Sequence, residues 1–253
     1  MISKMIIPNV NVADDYDDLC KKVTQEILVL SDQKIAAQQK FTIALSGGST
    51  PKGVYQCMAS PAYKDKFQWE KIHFFWSDER WVPYDDPKSN YRMVSQALLT
   101  KVHIPSENIH PIPTNGDLVK DAARLYEGTL SNFFKLKQND FPVFDLVLLG
   151  LGQDGHTASL FPGNPALLVK DRLAEAVSQS GMPEKRVTLT FPVINHADMV
   201  LFLVSGPDKA EIVHEVLENK NRDFPANEIK PSHGKIRWFL DKAAASKLVN
   251  EYA

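Results

Sequence analysis

Cysteine is nearly missing from this chain. Cys20 and Cys57 are the two in 253 residues, and neither stands in a C-x-x-C pair, so a disulfide framework is excluded and two free thiols in a reducing compartment are expected. Long apolar runs are missing as well: none approaches the roughly 20 residues that a membrane-spanning helix needs. A charge excess is lacking, since 29 Lys and Arg face 31 Asp and Glu for a net charge of −2. That balance argues against a nucleic-acid surface, which carries a clear basic excess, yet it leaves room for a small anionic ligand held by a few local cations. Neither an internal repeat nor a low-complexity linker occurs, which excludes a propeller or a solenoid. The opening MISKMIIPNVNVADDYDD lacks the pattern of a secretory signal, and the closing Asn250-Glu-Tyr-Ala253 lacks a peroxisomal tripeptide. A cytoplasmic protein is the resulting expectation.

What is present is an alternation of helical and strand patterns. Residues 14–39 carry apolar positions at helical spacing (Leu19, Val23, Ile27, Leu30, Ile35). Strands are predicted at 41–45, 72–76, 144–149, 186–190 and 199–204. Helices are predicted at 54–58, 89–99, 117–134 and 210–217, and a last one at 238–249 closes the chain. The helix at 117–134 is expected to bury Leu118, Ala122, Leu125, Leu130 and Phe133. Strands alternating with helices imply parallel pairing, hence an α/β fold: a doubly wound, mostly parallel sheet with helices on both faces. The whole chain, 1–253, reads as one such domain, with a small lobe at about 157–190 where periodicity is weakest.

Ligands of an open α/β sheet bind beyond the carboxyl ends of its strands. Four strand ends here carry polar chemistry: Ser46–Thr50, Asp78–Arg80, Asp154–His156 and Ser205–Lys209. The first, Ser46-Gly47-Gly48-Ser49-Thr50, suits a phosphate, because glycines admit close backbone approach, hydroxyls donate, and a following helix offers free N–H groups. A plain glycine-rich turn with Thr50 as N-cap before Pro51 is the alternative. Ala44-Leu-Ser46-Gly-Gly48 also lies one residue from the nucleophile elbow G-x-S-x-G. A serine triad, however, needs an acid behind the imidazole, and Asp154 and His156, two apart in one loop, make that awkward. Asp78-Glu-Arg80 ends an aromatic strand, where a guanidinium could grip a phosphate or carboxylate bidentately. Lys209 and Arg186 lie at or near strand ends and could add charge.

Gly150-Leu-Gly-Gln-Asp-Gly155 fits the dinucleotide template G-x-G-x-x-G, with Glu175 near the distance of a ribose-binding acid. The intervening LFPGNPALLVKDR, with two prolines, does not read as the helix-to-strand unit that such a site requires. The template fails, and Asp154-Gly-His156 remains: an imidazole, ordinarily titrating near 6.5, with a carboxylate two residues before it, is placed for proton transfer. One His–Asp pair offers too few ligands for a metal, so neither metal nor cofactor is expected.

Taken in order, LSGGSTP (45–51), WSDERWVP (76–83) with Ser89-Asn-Tyr91, GLGQDGHTASLFP (150–162), RVTLT (186–190) and SGPDKA (205–210) closely resemble the 6-phosphogluconolactonase family of the glucosamine-6-phosphate deaminase-like fold, over about residues 40–245. The resemblance implies a carboxylic ester hydrolase of the pentose phosphate pathway that converts 6-phosphoglucono-δ-lactone to 6-phosphogluconate. It makes His156 the base that activates water and Asp154 its partner. The loop 46–50, Arg80 and Lys209 would hold the anionic sugar phosphate, with Arg186 and Asp78 beside them. Arg80, or N–H groups near Gly47 and Gly48, would meet the oxyanion. The sister activity, isomerisation with deamination, uses an acidic residue after the His. Here the segment is Thr157-Ala-Ser-Leu-Phe-Pro162 without a carboxylate, which favours the lactonase. A non-catalytic sugar-phosphate sensor would need a DNA-binding segment, and no basic helix-turn-helix precedes residue 40. The expected state is a monomer or small homo-oligomer, with no nucleic-acid or membrane partner.

Overall fold

Strands buried on both faces read as continuous apolar runs, and FTIAL, LVLL and MVLFLV are such runs. They form β2 (Phe41–Leu45), β5 (Leu146–Leu149) and β8 (Met199–Val204), with every residue buried. The computed structural model describes residues 9–219 and 224–249, so the readings of the extreme termini fall partly outside it. Beside these strands lie β1 (Asn9–Ala13), β3 (Ile72–Trp76) and β9 (Lys235–Asp241). The six make one sheet in the order β1-β9-β8-β5-β2-β3, parallel throughout. The helices that cover it include α1 (Tyr16–Gln38), α2 (Ser49–Met58), α3 (Asn90–Val94), α4 (Val119–Phe134), α5 (Phe191–Asn195) and α6 (Ala210–Leu217). α3 runs on into a wider π turn at Ser95–Leu99. No helix among the described residues is long and apolar enough to cross a membrane.

The doubly wound α/β expectation holds for this sheet, and the exceptions have physical causes. Residues 238–249 do not form the closing helix. Lys235–Asp241 is instead a central strand between β1 and β8, with Trp238 stacked on Phe202 of the neighbouring strand at 3.9 Å between centroids. Pairing on both sides and a fully buried indole outweigh the helix propensity of the Lys-Ala-Ala-Ala stretch, which is left as turns at 242–247. The strand at 186–190 does form, but not in the main sheet. As β7 (Arg186–Leu189) it pairs antiparallel with β4 (Asp78–Arg80) and β6 (Ala174–Val177) in a separate three-stranded ribbon. On α4, Leu118 and Leu125 are each 59% exposed; the buried face is Val119, Ala122, Ala123, Tyr126 and Leu130. The apolar stripe is turned from the expected one because α4 packs on β6 and β7 as well as on β3, where the Tyr126 hydroxyl bonds the N–H and carbonyl of Trp76 and Phe133 stands against Phe75.

Candidate active site

Chain order places the cleft. From β2 the chain moves through α2 to β3 on one side, while β5 lies on the other. Strand order therefore reverses between β2 and β5, and a crevice opens at such a switch point beyond the carboxyl ends. The loops after β2 and β5 flank it, and the loop after β8 adjoins them. The resulting cleft of about 220 Å³ is lined by residues 46–51, 150–152 and 203–205 and by Asp78, Arg80, Asn90, His156, Ala158, Arg186 and Lys209. Of the eleven residues expected from the sequence, ten line it; Asp154 sits just behind, against His156.

The glycine loop is held from below and beside. The buried Tyr55 hydroxyl donates to the Ser46 carbonyl at 2.8 Å and accepts from the Ser46 N–H at 3.0 Å. α2 starts at Ser49, so Thr50 is a helical residue and not the cap; Gly48, at φ 104°, takes that place. Gly47 has no room for a side chain, because a Cβ there would lie 2.0 Å from Asn90 Oδ1. The Thr50 and Ser205 hydroxyls are hydrogen-bonded at 2.8 Å, which joins the loops after β2 and β8. The Ser46 hydroxyl donates to the Gly47 carbonyl at 3.2 Å and not to an imidazole, so the elbow reading gains no geometry.

Opposite this loop stands the ribbon. Arg80 and Arg186 are cross-strand partners in β4 and β7, two like charges side by side. Each keeps a buried Nε–H without a hydrogen-bond partner, and an unpaired buried donor is costly until something accepts from it. Burial is the main reason the Arg186 guanidinium sits below its ordinary pKa; the Arg80 charge adds to that, and Asp78 opposes it. An anion between the two would satisfy both the charge and the donors. Asp78, 5% exposed, accepts from the Ser159 hydroxyl at 2.6 Å and lies 3.9 Å from Arg186 Nη1. Its carboxylate is thus engaged in orienting its neighbours. Glu79 is also buried, and its carboxylate receives the N–H groups of Arg80, Asn90 and Tyr91, each at 2.7 Å. Burial nonetheless pushes it up to about 7. Lys209 closes the cleft from the loop after β8, whose Gly206 N–H is held by the Asp241 carboxylate at the end of β9.

His156 and Asp154 meet despite their spacing. Gly155 at φ 77° turns the chain back, so Asp154 Oδ1 lies 2.5 Å from His156 Nδ1 and also accepts the His156 N–H at 3.2 Å. Burial works to raise the Asp154 carboxyl, but the His156 charge and hydrogen bonds outweigh it and hold the group below its ordinary value. With Nδ1 occupied, Nε2 is the nitrogen left for chemistry. The ring packs on Phe161 at 4.5 Å, and the Arg186 guanidinium lies over the same ring at 5.4 Å. Phe161 therefore packs against the imidazole and a cation at once. Gly152 must lack a side chain, since a Cβ would fall 2.1 Å from His156 Nδ1. No helix follows this loop: Thr157 and Leu160 close a turn, and Ala158 enters the cleft at φ 49°.

The sequence does not single out Asn90, Gly152, Phe161 and Asp241 as working parts of the site, and it marks Ser205 only as the start of a strand-end loop. Asn90 and Ser205 stood in quoted motifs, and their position at a strand end or before a helix was the available signal. Gly152 and Phe161 stand in the motif 150–162, which assigns a role only to Asp154 and His156. Nothing in the local pattern marks Asp241, which lies within the helix expected at 238–249.

The sequence profile described as glucosamine-6-phosphate isomerases/6-phosphogluconolactonase matches residues 14–238. The chain is 44% identical over 243 residues to a 6-phosphogluconolactonase of Synechocystis sp., a match covering 95% of this chain and 98% of that one. A 6-phosphogluconolactonase structure from Leishmania guyanensis is 30% identical and superposes with a TM-score of 0.85 over 96% of this chain and 99% of that one. A monomeric glucosamine-6-phosphate deaminase, 22% identical with a TM-score of 0.78 over 94% and 99%, shares the fold.

Proposed function

The chain belongs to the glucosamine-6-phosphate isomerase/6-phosphogluconolactonase family, and from that premise we propose that it hydrolyses 6-phosphoglucono-1,5-lactone to 6-phosphogluconate with His156 as general base. One observation carries the reading: the His156–Asp154 pair, the loop 46–50 and two buried arginine donors share one cleft. Asp154 accepts from Nδ1–H and leaves Nε2 to take a proton from water as its oxygen attacks the lactone carbonyl carbon. The tetrahedral oxyanion is met by N–H groups near Gly47 and Gly48 or by Arg80, donors of a kind worth about 10²–10³ in turnover each. Collapse breaks the bond from the carbonyl carbon to the ring oxygen. His156 returns its proton to that oxygen, so the base is regenerated and no covalent enzyme intermediate is needed.

The loop 46–50, Arg80, Arg186 and Lys209 hold the phosphate, and Asp78 keeps Arg186 in place. Anchoring the remote phosphate positions the carbonyl at the imidazole, and that positioning lowers the barrier. The segment after His156 supports hydrolysis over isomerisation with deamination: it holds no carboxylate, and Ala158 is the residue it places on the cleft. The same reading treats the chain as one α/β domain with a small lobe at about 157–190, which carries two of the ribbon's three strands, acting in the cytoplasm as a monomer or small homo-oligomer. The test is acid release from freshly made 6-phosphogluconolactone, with the unphosphorylated lactone as control. Fast release that depends on the phosphate is expected; equal rates on both lactones, or none on either, would contradict it.

A further inference from the structure

Phe224 lines no part of the cleft, yet it touches the loop that carries the base. A Cβ built on Gly155 would lie 2.3 Å from Phe224 Cδ1, so the ring rests directly on the residue between Asp154 and His156. The Ala226 N–H donates to the Gly155 carbonyl at 3.1 Å, so one short segment meets the left-handed turn through a ring and through a backbone hydrogen bond. That segment is anchored in turn. Pro225–Glu228 form a 3-10 turn, Asn227 Oδ1 accepts the Phe224 N–H at 3.3 Å, and Asn227 Nδ2 donates to the Val216 carbonyl of α6 at 2.9 Å. Asn195 Nδ2 adds a bond to the Glu228 carbonyl at 2.9 Å.

Asp154 needs such support. Its side chain is 49% exposed, so packing on the carboxylate does little to hold it, and the distance to Nδ1 depends on how the Gly155 turn is fixed. We propose that Phe224 is a positioning residue for the His156–Asp154 pair, acting through Gly155 and tying that pair to α6. The inference rests on the reading of His156 as the base. Removing the ring takes away the backing of the turn, and the Nδ1–Oδ1 contact loosens while the cations that hold the phosphate stay in place.

The test uses the full chain with Phe224→Ala, Phe224→Leu and, in parallel, His156→Ala. Two quantities are read: kcat and KM for the phosphorylated lactone, and the imidazole ¹H–¹⁵N spectrum of His156, assigned by its absence in His156→Ala. Phe224→Ala is expected to lower kcat about 10-fold or more with KM changed less than about 2-fold, since displacements near 1 Å are costly to positioned groups. It is also expected to shift the Nδ1 signal, and Phe224→Leu is expected to restore much of both. A folded Phe224→Ala with wild-type kcat and an unmoved signal would overturn the proposal. So would a loss spread over kcat, KM and thermal stability that Leu does not repair, which marks a general packing role. Should His156→Ala keep its turnover, the base assignment fails, and the Nδ1 signal still decides for or against Phe224.

Discussion

Gly152→Ala is a one-atom test of whether the imidazole must stay where it is. The Gly152 φ angle lies outside the left-handed region, so alanine meets no backbone penalty and the effect is confined to its methyl group. That carbon would fall 2.1 Å from His156 Nδ1, 2.2 Å from Cε1 and 2.7 Å from Asp154 Oδ1, where real contacts stay above 3.0 Å. Relieving the first contact takes a movement of at least 3.0 − 2.1 = 0.9 Å, and it pushes the ring and its carboxylate together out of line. A displacement near 1 Å at a positioned catalytic group costs on the order of 10²-fold in rate, and the strain lowers stability by about 1–3 kcal/mol. The cations at Arg80, Arg186 and Lys209 are not touched, so the loss is expected in kcat, with KM near wild type. Acid release under saturating lactone measures it, with a melting curve to show that the variant is folded. A folded Gly152→Ala enzyme with kcat within about two-fold of wild type would refute the claim that this imidazole position matters.

Other perturbations read other parts of the account. Arg186→Ala removes one of the two arginine donors left unpaired in the cleft; affinity for the phosphorylated lactone should fall about 10- to 100-fold, as for a charge-assisted hydrogen bond, while the unphosphorylated lactone is unaffected, and KM on the two substrates checks this. Glu79 is pushed from 4.5 up to about 7 on folding, so the native state binds the extra proton and wild type loses stability as pH rises through that window. Relative to Glu79→Gln the loss should reach about 3 kcal/mol, at 1.36 kcal/mol per pKa step, read by denaturant unfolding at pH 4.5 and pH 8. His110 moves the other way: burial, and then His73 hydrogen-bonded to it at 3.3 Å, hold it down at about 4. Wild type should lose stability as pH falls from 6.5 towards 4, and His110→Phe, which keeps a ring against Phe75, should lose less in the same titration.

The sheet was legible where its strands are buried on both faces. FTIAL, LVLL and MVLFLV cannot be amphipathic helices, and the polar residues that end each run mark the carboxyl edge. β1, β6 and β4 are short, and β4 is charged throughout, so they become strands only through their partners; the second half of β9 reads as the start of a helix because Trp238-Phe-Leu240 before Asp241 carries no period of its own. α4 shows the same limit on a finer scale, since Leu118 and Leu125 fit a helical stripe as well as Val119 and Ala122 do, and the ribbon together with β3 decides. In the cleft, His156, Arg80, Lys209 and the glycine loop could be found because strand-end position and residue chemistry coincide. Asp241 could not, because its partner Gly206 lies 35 residues away; Tyr55, Phe161 and Gly152 could not, because what each does depends on how the folded loop turns its near neighbours Ser46 and His156 against it.

The central claim is that Nε2 of His156 takes the proton from water. Acid release by His156→Ala at saturating 6-phosphogluconolactone, paired with 6-phosphogluconate binding to the same protein, tests it most directly. Turnover at or near the uncatalysed rate with binding intact is expected; a variant that binds the product and still hydrolyses the lactone at close to the wild-type rate would contradict the mechanism.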